Sequence, residues 1–175
     1  MIETLFSIDA FVHETKSWNK KKKLLEGLIN KHPFFKRENN TFTTTRFGPN
    51  TFDFCSDLMR ILDEDFKKFC EETGFKEVAM LDAWAVKYSK NDCQVPHHHG
   101  RVMYTGILYL NVDKKQAPTT FIAPFPSETT GNTRLSQIEC KEGTLVIFPG
   151  HLMHFVKPNP VKKHRIVISF DINCK

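Results

Sequence analysis

The chain has 175 residues, a net charge of +5, 40 % hydrophobic residues and 16 phenylalanines. That content is enough for one folded core and too little for two comfortable ones, so a single domain over residues 1–175 is expected and a disordered chain is excluded. The five cysteines are odd in number and contain no C-x-x-C pair, which suggests neither a disulfide framework nor a cysteine zinc site.

In chain order, the start "MIETLFSIDAF" lacks a basic segment followed by a long apolar run, so it is not a secretory leader. No stretch approaches the ~20 apolar residues of a membrane span. A soluble, cytoplasmic protein in a reducing compartment is expected. "SWNKKKKLLEGLINKH" reads as a helix with Trp18, Leu25, Leu28 and Ile29 near one face and Ser17 as cap. Its run Lys20–Lys23 reads as a solvated face, with nucleic-acid contact as the weaker alternative. "TFTTTRF" reads as a short strand. "NTFDFCSDLMRILDEDFKKFCEETG" reads as a second helix, capped by Asn50 or Thr51 and ended by Gly74. Cys55 and Cys70 fall in it as small apolar residues.

Near residue 75 the apolar period shortens from helical to two. "EVAMLDAWAVKYS", "RVMYTGILYLNV", "TTFIAPF", "TLVIF", "HLMHFV" and "HRIVISFDI" follow, separated by turn signals. Short strands so closely spaced predict an antiparallel sandwich or barrel. The expectation is a helical part over 1–75 packed against a β-domain over 76–175.

Chemistry concentrates in "QVPHHHG", residues 94–100. In extended chain, alternate side chains share a face, so His97 and His99 point one way and His98 the other. Pro96 favours the extended conformation just before them. Two imidazoles on a concave face are part of a metal site suited to iron, zinc, copper or nickel. The third ligand comes from a distant strand. His154 is the best placed; His151, three residues earlier, faces the other way. Arg165 stands in an otherwise apolar strand and needs an anionic partner, which is either Asp171 or a bound dicarboxylate. Taken singly, a histidine run is a solvated loop and a buried arginine an ion pair; the joint order His-x-His, His, Arg carries the signal.

Three stretches carry a resemblance: "HHHGRVMYTGILYLNV", with His97, His99, Thr105-Gly106 and Tyr109; "GTLVIFPGHLMHFVKPN"; and "HRIVISFDI", with Asp171 where Asn is usual. Together they resemble the Fe(II)/2-oxoglutarate-dependent oxygenase superfamily, in particular a branch of small oxygenases common in phage and marine bacterial genomes. The resemblance spans about residues 80–173. It implies a mainly β, α+β chain: a double-stranded β-helix (jelly roll, cupin-like) with N-terminal helices packed against one sheet. It also implies that His97, His99 and His154 hold Fe(II), and that Arg165 grips the distal carboxylate of 2-oxoglutarate. Tyr88, Ser169 and Thr105 complete that cofactor-binding set. The implied reaction takes Fe(II), 2-oxoglutarate and O2, with ascorbate as an aid, and hydroxylates a substrate while releasing succinate and CO2.

His99 departs from the pattern, because most of the superfamily has a carboxylate there. Either His99 ligates, or His98 takes its place, or Asp92 substitutes from the preceding loop. Val86, Ile107, Leu145, Ile147 and Phe155 line the site or fill the core. Two rival classes share the fold: a three-histidine metalloenzyme without 2-oxoglutarate, and a non-catalytic jelly-roll binding module. The substrate, small molecule or peptide, is not legible, and the oligomeric state is open, a homodimer included. Metal affinity is expected to fall as pH drops through ~6.5, because imidazoles must be neutral to ligate.

Overall fold

The computed structural model of the chain describes residues 7–36, 41–46, 48 and 51–175. Three helices and two antiparallel sheets are formed by them. The helices are α1 (Trp18–Ile29), α2 (Thr51–Ile61) and α3 (Asp63–Thr73). The strands are β1 (Phe11–Glu14), β2 (Phe35–Lys36), β3 (Thr43–Thr44), β4 (Val78–Tyr88), β5 (Gln94–His97), β6 (Tyr104–Asn111), β7 (Thr119–Ile122), β8 (Leu135–Gln137), β9 (Thr144–Pro149), β10 (His154–Val156) and β11 (Arg165–Cys174). The larger sheet runs β1-β9-β6-β11-β4-β3-β2 and the smaller β5-β10-β7-β8. The chain is a jelly roll with its helices laid on the outer face of the larger sheet.

Strict alternation builds this layering. On β4, Ala83 and Ala85 face the helices while Trp84, Val86 and Tyr88 face the smaller sheet. On β6 the split is Leu108 and Leu110 against Ile107 and Tyr109; on β9 it is Leu145 and Ile147 against Val146 and Phe148. β11 sends Ile168, Phe170 and Ile172 to the helices, leaving Val167 on the inner face. Leu25, Leu28, Phe54, Leu58, Phe66 and Phe69 close the outer core from α1, α2 and α3, with Leu62 from the junction of α2 and α3. A side-chain period of two thus produces two cores on either side of one sheet.

Several expectations need correction. The long second helix is two, broken at Leu62 (φ −103°, ψ 16°), and Gly74 ends α3 in the left-handed conformation (φ 79°), as expected. Ser17 adopts φ 54° and makes no capping bond through its side chain. The expected cap at Asn50 or Thr51 lies outside the residues whose side chains the structure describes. β1 was not foreseen: it lies at the sheet edge with Val12 exposed, so its pattern looks like surface chain. β1 and β2 put part of the supposed helical segment into the larger sheet, and β3 falls in the strand expected at "TFTTTRF". Lys21 turns inward and meets buried Asp65 at 2.6 Å, and Lys22 meets Glu142 at 2.6 Å, so half of the lysine run is spent on ion pairs. All five cysteines are free. None of the described helices is long and apolar enough to cross a membrane.

Candidate metal and cofactor site

The inner face of the larger sheet and the smaller sheet enclose a cavity of about 540 Å³, within the usual range for small-ligand sites. Register brings its residues together. Across the smaller sheet His97 pairs with His154. Across the larger sheet Arg165 pairs with Tyr88, and Asp171 with Thr105. Strand β5 ends at His97, and His99 follows outside regular strand structure, yet the two rings still reach the same place.

One ring nitrogen from each of His97, His99 and His154 lies within 4.8 Å of the others. The rings are 4.3 Å apart for His97 and His154, 5.4 Å for His97 and His99, and 5.3 Å for His99 and His154. Each ring also has its Nδ1 against an acceptor. His97 Nδ1–H donates to the Val95 carbonyl at 2.9 Å, His154 Nδ1–H to the Leu152 carbonyl at 2.9 Å, and His99 Nδ1–H to Asp171 Oδ1 at 2.6 Å. That fixes one tautomer in all three rings and leaves Nε2 with the lone pair a metal needs. Burial lowers the pKa of His97 and brings that of His154 down to about 3, with neighbouring imidazoles adding to the effect. Both rings therefore stay neutral below the ordinary histidine range, and the proton competition expected near pH ~6.5 moves lower for them.

His98 accepts a hydrogen bond from the Gly100 N–H and stands outside the cluster. His151 is exposed. Asp92 accepts from the Ser89 N–H at 2.7 Å within its own turn and belongs neither to the imidazole cluster nor to the cavity lining.

Arg165 is 1 % exposed. Its Nη2 donates to Thr119 Oγ1 at 3.2 Å, while Nε and Nη1 have no hydrogen-bond partner among the described residues. The guanidinium lies 5.3 Å from the Tyr88 ring centre and 5.4 Å from that of Tyr109. Asp171 is not its partner: six residues along a strand is ~20 Å, and Asp171 instead holds His99. No carboxylate pairs with Arg165 among the described residues. A buried cation left this way is costly by several kcal/mol unless an anion enters beside it. Arg165 and the three histidines line the same cavity. A dicarboxylate whose other end chelates a metal fits this donor set.

Tyr88, Ser169 and Thr105 line the cavity too. Burial raises the Tyr88 pKa to about 12, so its phenol is a hydrogen-bond donor at any physiological pH. Ser169 sits on β11 between Arg165 and Asp171. Thr105 stands behind His99: its hydroxyl donates to the Phe170 carbonyl at 3.0 Å and offers a lone pair to His99 Nδ1 at 3.2 Å. Val86 and Ile107 line the wall; Leu145 and Ile147 belong to the helix-facing core, and Phe155 is not part of the lining. Thr119, Trp84 and Arg46 were missed. Thr119, fully buried, links Arg165 to the Tyr109 hydroxyl; Trp84 stacks on His99, and Arg46 covers Trp84 at 3.8 Å. The three histidines and Arg165 carried the signal by order and spacing; threonine and tryptophan in apolar strands look like core.

A jelly roll with three convergent imidazoles and an unpaired buried arginine defines a metal-dependent, anion-binding enzyme class. Residues 82–171 match the family described as "Putative 2OG-Fe(II) oxygenase". The chain belongs to that family, and Fe(II), 2-oxoglutarate and O2 are the cofactor and co-substrates of its chemistry. No curated protein matches the sequence. Among solved structures, the chain is similar to the α-ketoglutarate-dependent epimerase SnoN from nogalamycin biosynthesis (TM-score 0.73, 11 % identity, 95 % of this chain and 78 % of that one). It is also similar to HygX of Streptomyces hygroscopicus with nickel, 2-oxoglutarate and hygromycin B bound (0.68, 10 %, 95 % and 83 %). A third is a prolyl hydroxylase from Trichoplax adhaerens in complex with a hypoxia-inducible-factor peptide fragment (0.66, 12 %, 93 % and 82 %). At such identities these share the fold with this chain.

Proposed function

We propose that the chain, as one oxygenase domain, hydroxylates a small molecule or a peptide, with His97, His99 and His154 as the metal ligands. Arg165 binds the distal carboxylate of 2-oxoglutarate, and the Tyr88 phenol and Ser169 hydroxyl add donors to the same cofactor. Thr105 supports this set from behind His99. When bound, Fe(II) with 2-oxoglutarate and O2 supplies the oxidising power, and succinate and CO2 leave. The protein's part is positioning. Three neutral imidazoles on one side leave the opposite coordination positions open. Val86, Ile107 and Val167 line a wall that keeps water from the reacting atoms.

The observation that carries this is Arg165: a fully buried cation with two donors unpartnered among the described residues, lining the histidine cavity. A three-histidine metalloenzyme without 2-oxoglutarate has no use for such a group. The test is succinate release from purified protein given Fe(II), ascorbate and 2-oxoglutarate. Release that disappears with a chelator and in His154→Ala supports the proposal; none at any iron concentration refutes it. Hydroxylation of a C–H bond, rather than the epimerisation attributed to SnoN, is checked by oxygen incorporation into product. A cytoplasmic location is proposed, consistent with the five free thiols.

A further inference from the structure

We propose that Asp171 is a positioning residue for the metal site: it holds His99 by Nδ1 and supplies, one ring removed from the ion, the negative charge that a directly coordinating carboxylate would bring. This rests on the three-imidazole reading of the site above.

The three ligand rings are not held alike. His97 and His154 donate to neutral backbone carbonyls, whereas His99 donates to a carboxylate at 2.6 Å. Asp171 is 4 % exposed, and the Thr105 hydroxyl joins it at the same nitrogen. The register that pairs Asp171 with Thr105 places both behind His99, on neighbouring strands. Among the described residues the far oxygen, Oδ2, has a long contact to Arg46 Nη2 at 3.5 Å, while Arg46 Nε is on Asp82 at 2.9 Å. The Asp171 carboxylate therefore shares Arg46 with Asp82 and makes its short contact to His99. Trp84 stacks on the His99 ring at 5.7 Å and 15°, and the Arg46 guanidinium lies over Trp84, so the ring is held flat as well as from behind.

Iron sites of this geometry ordinarily include one carboxylate among three protein ligands, which offsets one of the two metal charges. Three neutral imidazoles offset none. A buried carboxylate on the remote nitrogen of a ligand imidazole raises the donor strength of Nε2 and places a negative charge near the ion in a low-dielectric setting. Asp171 is the group in position to do so.

The experiment measures Co(II) binding to the full chain, without 2-oxoglutarate, in wild type, Asp171→Asn and Asp171→Glu. Co(II) is the probe because it is stable to oxygen and its visible bands report ligand strength. Asp171→Asn is isosteric; its affinity should fall about tenfold or more, with shifted bands. Asp171→Glu keeps the charge and should bind more tightly than Asp171→Asn, although it is the worse fit for the space. A residue needed only for packing would give the reverse order. Wild-type affinity and spectrum in Asp171→Asn, or Glu weaker than Asn, overturns the proposal. If wild type itself binds no Co(II), the three-imidazole reading fails instead.

Discussion

Replacing Arg165 by methionine should move two measurements in opposite directions. The side chain is 1 % exposed, with two donor nitrogens unpartnered and one on Thr119. Each hydrogen bond to a charged group contributes about 1.5–3 kcal/mol, so losing two to a carboxylate removes ~3–6 kcal/mol of binding. At ~1.4 kcal/mol per tenfold, the 2-oxoglutarate requirement should rise roughly 10²- to 10⁴-fold. In the apo protein the same substitution removes a buried cation with no counter-charge and installs an apolar chain of similar length. That should stabilise by at least about 1 kcal/mol, or ~2–4 °C in Tm for a chain of this size. The lost bond to Thr119 subtracts little, because Thr119 keeps the Tyr109 hydroxyl. The assay is succinate release against 2-oxoglutarate concentration, alongside thermal unfolding of metal-free protein. An unchanged 2-oxoglutarate requirement refutes the assignment of Arg165. A destabilised apo variant shows that the guanidinium is satisfied and the energetic reasoning wrong.

Acid should weaken the metal-free fold through His154. Its folded-state pKa, about 3, lies below the unfolded value of 6.5, so the unfolded chain takes up the proton first. The contribution is intact above pH 6.5 and is lost as pH falls toward 3; between 6.5 and 5 it amounts to about 2 kcal/mol. Urea midpoints in chelator should fall over that range, and fall less in His154→Phe; equal slopes would contradict the burial argument. Gly106→Ala should fail to accumulate as folded protein, because a Cβ there would sit 2.0 Å from the Phe170 ring, which is itself fully buried under the helices. Soluble expression with a normal melt would show that Phe170 has room to move. Lys21→Met should cost ~3–5 kcal/mol by stranding Asp65, 1 % exposed, against which Lys21 sits at 2.6 Å; a loss under ~1 kcal/mol by urea denaturation would mean that His13, 3.2 Å away, suffices as partner.

The alternation of apolar residues after residue 75 was enough to locate most strands, and the order His97, His99, His154, Arg165 was enough to single out four side chains that line one cavity. Both signals are local or one-dimensional: period two reports which residues share a face, and a run of unusual residue types survives in any fold. Edge strand β1 was hidden because half its residues meet water. The break at Leu62 was hidden because α2 and α3 share one apolar face across it.

What lies opposite a residue was decided only in three dimensions. Along β11, Arg165 and Asp171 share a face, and charge alone suggested pairing them. Strand rise separates them, and the register of β11 with β6 delivers Asp171 to Thr105 and His99 instead. Lys21 looked like one of four solvated lysines until helix packing set it on Asp65. Residue type and spacing therefore determined the chemistry available to this protein. Register between strands far apart in the chain, which follows from packing two sheets and three helices around shared cores, determined which groups meet.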